Sequence, residues 1–131
     1  MENETGQLGA LDGVRILVVD DDVLNASLLA DLLQSDGCII EGPVGDLDST
    51  TDLARTRDIA VALLDINLDD QVVYPAADVL MTRRIPFIFM TGSLRQILPP
   101  RFQGTPMVSK PFKYHHVREA IAGILGDHLA T

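Results

Sequence analysis

Apolar and polar positions fall in blocks along this chain, and the blocks change period as they pass from one predicted element to the next. Ile16 to Val19 form a continuous aliphatic run that stops abruptly at Asp20-Asp21-Asp22. Such a run suits a strand buried on both faces, so the first strand is predicted over about Val14 to Val19. Leu24, Leu28 and Leu32 then recur at i, i+4, i+8, flanked by Leu29 and Leu33, and predict a helix that Gly37 ends. Cys38 to Ile40 is the next apolar run, closed by Gly42-Pro43. Asp46 can cap a second helix reaching about Arg57, with the stripe Leu47, Thr50, Thr51 and Ala54. Ile59 to Leu64 is a third continuous run, and like the first it ends on an acid, Asp65. Pro75 sits in the first turn of a third helix that carries Ala76, Val79 and Leu80 inward and must stop before Pro86. Phe87 to Met90 makes a fourth strand, terminated by Thr91-Gly92. Between Leu94 and Thr105 the pair Pro99-Pro100 and a further glycine leave room only for a short helix. Met107 to Ser109 is the last strand, and Val117, Ala120, Ile121, Ile124 and Leu125 give the closing helix its apolar stripe.

Apolar runs alternating with helical segments predict an α/β fold, a parallel sheet covered by helices on both faces. In open sheets of this kind ligands sit beyond the carboxyl ends of the strands. Four strand ends here carry reactive side chains, namely Asp20-Asp21-Asp22, Asp65, Thr91 and Lys110. The fold would bring them to one rim.

The totals narrow the function classes. At 131 residues the chain has the length of one domain. The expected division is a polar leader over residues 1–12, the folded domain over 13–127 and a tail over 128–131, with no output domain. A net charge of −9 disfavours nucleic acid and anionic membranes as partners, since both need a basic surface. No signal-like start and no bilayer-length apolar run are present, so a cytoplasmic location is expected. The single cysteine, Cys38, excludes an internal disulfide and reads as a buried strand residue. His115 and His116 read as the surface of a first helical turn, Asp69-Asp70 as a solvated loop, and Arg83-Arg84 as charges suited to a helix C-terminus.

Three adjacent carboxylates repel one another unless a cation or a set of donors offsets their charge. Capping alone would explain one Asp at a helix start, and by itself the cluster is consistent with either a cap or a metal site. Asp65 beside such a site is a candidate nucleophile toward a phosphoryl group. Lys110 and the Thr91 hydroxyl, with a divalent ion, would supply the countercharge that phosphoryl transfer needs. The donors are all oxygen, with no His or Cys at these strand ends, so Mg²⁺ is the expected ion and Mn²⁺ the expected substitute.

Taken together these residues resemble the receiver domains of two-component response regulators, over about Val14 to Leu125. The resemblance rests on the acidic pair Asp20 and Asp21, on Asp65, on Thr91, and on Lys110 followed by Pro111. It implies a flavodoxin-like sheet of order 2-1-3-4-5, a cis Lys110-Pro111 peptide, and Asp65 as phosphoacceptor for a partner histidine kinase or phosphotransfer protein. It also implies that Asp20, Asp21, Asp65 and the Asn67 carbonyl hold Mg²⁺, leaving Asp22 to the cap. Two departures stand out. The loop Asn67-Leu68-Asp69-Asp70-Gln71 lacks the usual Met-Pro and Asp-Gly, and Met107 occupies the place of the usual aromatic switch. Phe89-Met90-Thr91-Gly92 looks like a stand-alone subgroup that lacks that switch and has an irregular fourth helix. Output would then pass to a protein partner or end in a phosphate sink or shuttle, with the response carried mainly by residues 92–104.

Two other readings fit parts of the pattern. Asp20-Asp21-Asp22 has the Asp-x-Asp spacing of Mg²⁺-dependent phosphohydrolases resembling the haloacid dehalogenases, with Asp20 as nucleophile. That reading leaves Asp65 without a task and the chain without room for a specificity insertion. The remaining reading is a binding module with the same site that never takes a phosphoryl group.

Overall fold

The computed structural model describes residues 11–93 and 97–130, with side chains through residue 126. Residues 1–10 of the expected leader, Leu94 at the head of the expected irregular segment, and Thr131 lie outside the described residues. Strand β1 (Arg15–Val19) is followed by helix α1 (Val23–Ser35), β2 (Ile39–Val44), α2 (Leu47–Thr56) and β3 (Val61–Asp65). A hairpin of β4 (Asn67–Leu68) and β5 (Gln71–Val72) precedes α3 (Tyr74–Thr82), β6 (Phe87–Thr91), a 3₁₀ turn (Pro100–Phe102), β7 (Met107–Ser109) and α4 (Tyr114–Ala130).

The main sheet is five-stranded in the order β2-β1-β3-β6-β7, with parallel pairing throughout. Counting only its own strands, that is the expected 2-1-3-4-5 order of a flavodoxin-like fold. β3 and β6 are buried at every residue, as continuous apolar runs require when helices cover both faces. On one face Ile16, Val18, Val61, Leu63, Ile88 and Met90 pack with Leu29 and Leu33 of α1 and Val117 and Ile121 of α4. On the other, Leu17, Val19, Ala62, Leu64 and Phe89 pack with Ala54 of α2 and Ala76, Ala77 and Leu80 of α3. Each fully buried Val, Leu, Ile, Phe or Met among them stabilises the fold by roughly 1.5–3 kcal/mol.

Several local readings are corrected. In α1 the buried residues are Ala26, Leu29, Ala30 and Leu33, while Leu24 is 81% and Leu28 52% exposed. The leucine stripe therefore faces outward, because the two alanines let the adjacent face approach the sheet closely. β2 does not stop at Gly42-Pro43 but runs through it to Val44, with a register irregularity opposite Leu17 and Val19 and a cis Gly42-Pro43 peptide. An edge strand tolerates such a proline because one row of its amides needs no partner. Cys38 is buried but lies just before that strand, its thiol directed at the Leu11 carbonyl. Leu11, within the stretch read as leader, is itself a core residue. Asp69-Asp70 is exposed, as a solvated loop should be, and forms the turn of the β4–β5 hairpin. Arg83 serves the end of α2 rather than that of its own helix, donating to the Ala54 and Arg57 carbonyls at 2.7 and 2.8 Å.

Candidate functional site

Strand register assembles the rim. Val19 of β1 lies opposite Leu64 of β3, so the next residues, Asp20 and Asp65, emerge side by side. Met90 of β6 pairs with Asp65, and Thr91 with Ser109 of β7, which sets Lys110 one step beyond. The Lys110 amide is fixed there by a 2.8 Å bond to the Thr91 carbonyl. The alternation of strand side chains gives Asp20 and Asp65 the same face as Ile16, Val18, Val61 and Leu63, whereas Thr91 follows Phe87 and Phe89.

The three acids converge. Asp20, Asp21 and Asp65 each offer a carboxylate oxygen, and these oxygens all lie within 4.8 Å of one another. Asp20 and Asp65 are both 6% exposed. Lys110 Nζ reaches between them, 3.2 Å from Asp20 Oδ2 and 3.2 Å from Asp65 Oδ2. Backbone donors also hold two of the acids of the first loop. The Asp22 amide donates to Asp20 Oδ1 at 2.9 Å, and the Asp69 amide donates to Asp21 Oδ2 at 2.8 Å. Asp22 itself caps α1, accepting from the Leu24 and Asn25 amides, so it takes the capping role.

The electrostatics leave a deficit of positive charge. Burial pushes the Asp65 carboxyl up to about 7, Lys110 opposes this, and the neighbouring Asp20 reinforces it. Burial works against the Lys110 ammonium as well, but Asp65 and Asp20 together raise it above its ordinary range. Asp21 also loses water, yet the Asp69 amide, Asp65 and Lys110 hold it below the usual carboxylate value. One ammonium among three carboxylates leaves room for a hard cation, and an all-oxygen donor set suits Mg²⁺ or Mn²⁺.

Solved structures share this arrangement of strands and helices. SdrG from Sphingomonas melonis Fr1 is 32% identical over 86% of this chain and 97% of its own, with a TM-score of 0.75. The chain belongs to the receiver domains of response regulators. The receiver domain of the PhyR response regulator from Erythrobacter litoralis is 27% identical, over 88% of this chain and 92% of its own, with a TM-score of 0.77. PhyR from Brucella abortus shares the fold at a TM-score of 0.81 and 24% identity, and this receiver spans only 55% of that chain. No protein-family model and no curated protein matches the sequence.

The other positions singled out in this receiver fall as follows. The Lys110-Pro111 peptide is cis. Asn67 is exposed in β4, one residue beyond the buried Ile66. Thr91 is 2% exposed, and its hydroxyl donates to the Ser93 carbonyl while accepting from the Ser93 amide, so it is turned onto its own loop rather than onto Asp65. Met107 is half-buried against the face that holds Phe89 and Phe102. His115 and His116 are exposed in the first turn of α4, their ring centroids 4.2 Å apart. Among the described residues no helix is long and apolar enough to cross a membrane.

Two residues beside the acids carried no motif. Asp69 sits in the left-handed region at φ 56 and turns its amide toward Asp21. Gly45, just after β2, lies so close to the acidic loop that a Cβ there would be 3.0 Å from the Asp20 carbonyl oxygen. The only sequence signal for either is a turn-forming residue type, shared by many positions that touch nothing.

Proposed function

We propose that this receiver accepts a phosphoryl group on Asp65 from a histidine kinase or phosphotransfer protein, and that it signals through a protein partner or serves as a phosphate sink or shuttle. The observation that carries the reading is the seat of Asp65, a buried carboxylate 3.2 Å from Lys110 Nζ and within reach of two further acids. A carboxylate oxygen of Asp65 attacks phosphorus, an O–P bond forms, and the N–P bond to the donor imidazole breaks; the departing ring nitrogen takes a proton from water. Asp20, Asp21, Asp65 and the Asn67 carbonyl would hold Mg²⁺, which when bound supplies countercharge to the transferring phosphoryl oxygens. Lys110 provides the protein's own cation at the same place, and Thr91 provides a hydroxyl once it leaves Ser93. The acyl phosphate carries roughly −1.5 to −2 charge where a single carboxylate stood, which favours drawing both groups toward Asp65.

Incubation with a small acyl-phosphate donor and Mg²⁺, followed by intact mass, tests this. One phosphoryl group should appear on the wild type, none on Asp65→Asn, and none on the wild type when a chelator replaces Mg²⁺. Retention of the acyl phosphate in Asp65→Asn and its loss in Asp20→Asn would instead favour the hydrolase-type nucleophile. Failure of the wild type to accept a group from any donor would favour a binding module.

A further inference from the structure

The loop that carries Asp20 and Asp21 is touched from two sides by elements far away in sequence. On one side is Gly45. The Asp20 amide donates to the Val44 carbonyl at 2.9 Å, which draws the end of β2 against the loop. A Cβ on Gly45 would lie 3.0 Å from the Asp20 carbonyl oxygen and 3.1 Å from Asp21 Cα, tighter than nine in ten real contacts of that kind. Gly45 is not among the positive-φ glycines, so contact rather than backbone conformation opposes a side chain there, and the acidic loop would have to give by a few tenths of an ångström to admit one. On the other side is the hairpin turn. Its stem is anchored by Leu68 and Val73, 2% and 0% exposed, and by a 2.8 Å bond from the Val73 amide to the Ile66 carbonyl. That anchoring presents the Asp69 amide to Asp21 Oδ2 at 2.8 Å. Asp20 and Asp65 share Lys110, whereas Asp21 is aimed by this backbone donor.

We infer that Gly45 and the Asp69 turn are positioning residues for the cation site, clamping the Asp20–Asp21 loop so that the Asp21 carboxylate faces Asp20 and Asp65. This rests on the reading of those three acids as the Mg²⁺ ligands. Groups that orient a ligand from outside a metal site change its affinity while leaving the ligand in place.

Calorimetric titration of the metal-free protein with Mg²⁺, beside melting curves without metal, separates positioning from a general structural role. Gly45→Ala should weaken Mg²⁺ binding about tenfold or more, with metal-free melting close to wild type. Asp69→Gly keeps both the amide and the left-handed backbone, and should bind within about twofold of wild type. Asp69→Val cannot hold φ above zero without strain and should lose about as much affinity as Gly45→Ala. If Gly45→Ala fails to fold, the comparison of Asp69→Gly with Asp69→Val, at an exposed turn, still decides. Equal Mg²⁺ affinity in those two, or wild-type affinity in folded Gly45→Ala, would overturn the inference alone. A wild type that binds no Mg²⁺ would overturn the metal reading with it.

Discussion

Asp65 holds its proton well above the ordinary carboxylate value of 3.8 because burial, reinforced by the neighbouring Asp20, outweighs the opposing pull of the Lys110 ammonium. The consequence for stability has a definite sign. Between about 4 and 7 the native metal-free protein binds more protons at Asp65 than the unfolded chain does, so stability falls as pH rises through that window and levels off above it. Asp21 acts the other way but lower, since its depressed pKa stabilises the fold above 3.8 and that contribution is lost only as pH falls below it. Denaturant unfolding with chelator should therefore find the wild type more stable at about pH 5.5 than at pH 7.5, by up to a few kcal/mol. Asp65→Asn should lose most of that difference, and Mg²⁺ should reduce it in the wild type. An unchanged difference in Asp65→Asn would assign the effect to other groups. The acids were legible in the sequence because a carboxylate directly after a doubly buried strand has few other reasons to be there, and Lys110 because it follows the last strand just before Pro111. Gly45 and the Asp69 amide were not, since their role depends on contacts across 25 and 48 positions that no local pattern encodes.

At the scale of elements, the connection from β6 to β7 divides into two parts with different supports. Its downstream part is anchored. Phe102 is 1% exposed, and its ring lies 5.3 Å from Tyr74, 5.8 Å from Phe87 and 5.5 Å from Phe89. Arg101 forms a two-point ion pair with Asp78 of α3 at 2.7 and 3.0 Å, and its guanidinium stands 4.5 Å from the Phe102 ring centre. Nearer the rim, Gly92 and Ser93 are exposed and joined to the sheet through Thr91. The sequence led us to expect the response mainly in residues 92–104, and that anchoring favours its rim-side part. Phosphorylation should change amide exchange at Gly92 and Ser93 and leave Leu98 to Gly104 protected. Phe102→Ala should cost about 3–5 kcal/mol and extend the exchange change into the downstream part. Uniform change across the connection in the wild type would contradict this division. The three inner strands were legible because burial on both faces leaves an unbroken apolar run. The inward face of α1 was not, because leucines lie on two of its faces and only packing against the sheet selects the one that carries the alanines. The β4–β5 hairpin escaped notice for a related reason: two-residue strands built from Asn67, Leu68, Gln71 and Val72 have no period to detect.

For the molecule as a whole, the site and the surface around it pose different recognition problems. The rim is acidic on a chain of net charge −9, so attraction for a generic cation or a small phosphodonor needs no shaped surface. On the proposed function, a protein donor would have to be seated so that its phosphohistidine reaches a carboxylate that is only 6% exposed. Next to the rim, the first two turns of α1 present Val23, Leu24 and Leu28 at 74%, 81% and 52% exposure, immediately after the acids that face Asp65. Exposed aliphatic residues grouped on one helix beside a reactive centre suit a protein surface better than water. Leu24→Asp and Leu28→Asp leave every site residue in place, and neither position is part of the core. Transfer from a phosphorylated histidine kinase or phosphotransfer protein should slow on the order of tenfold or more in either variant, whereas labelling by a small acyl-phosphate donor should keep its wild-type rate. An equal loss with both donors would mean that α1 acts on the site itself, and an equal rate with both would place the docking surface elsewhere.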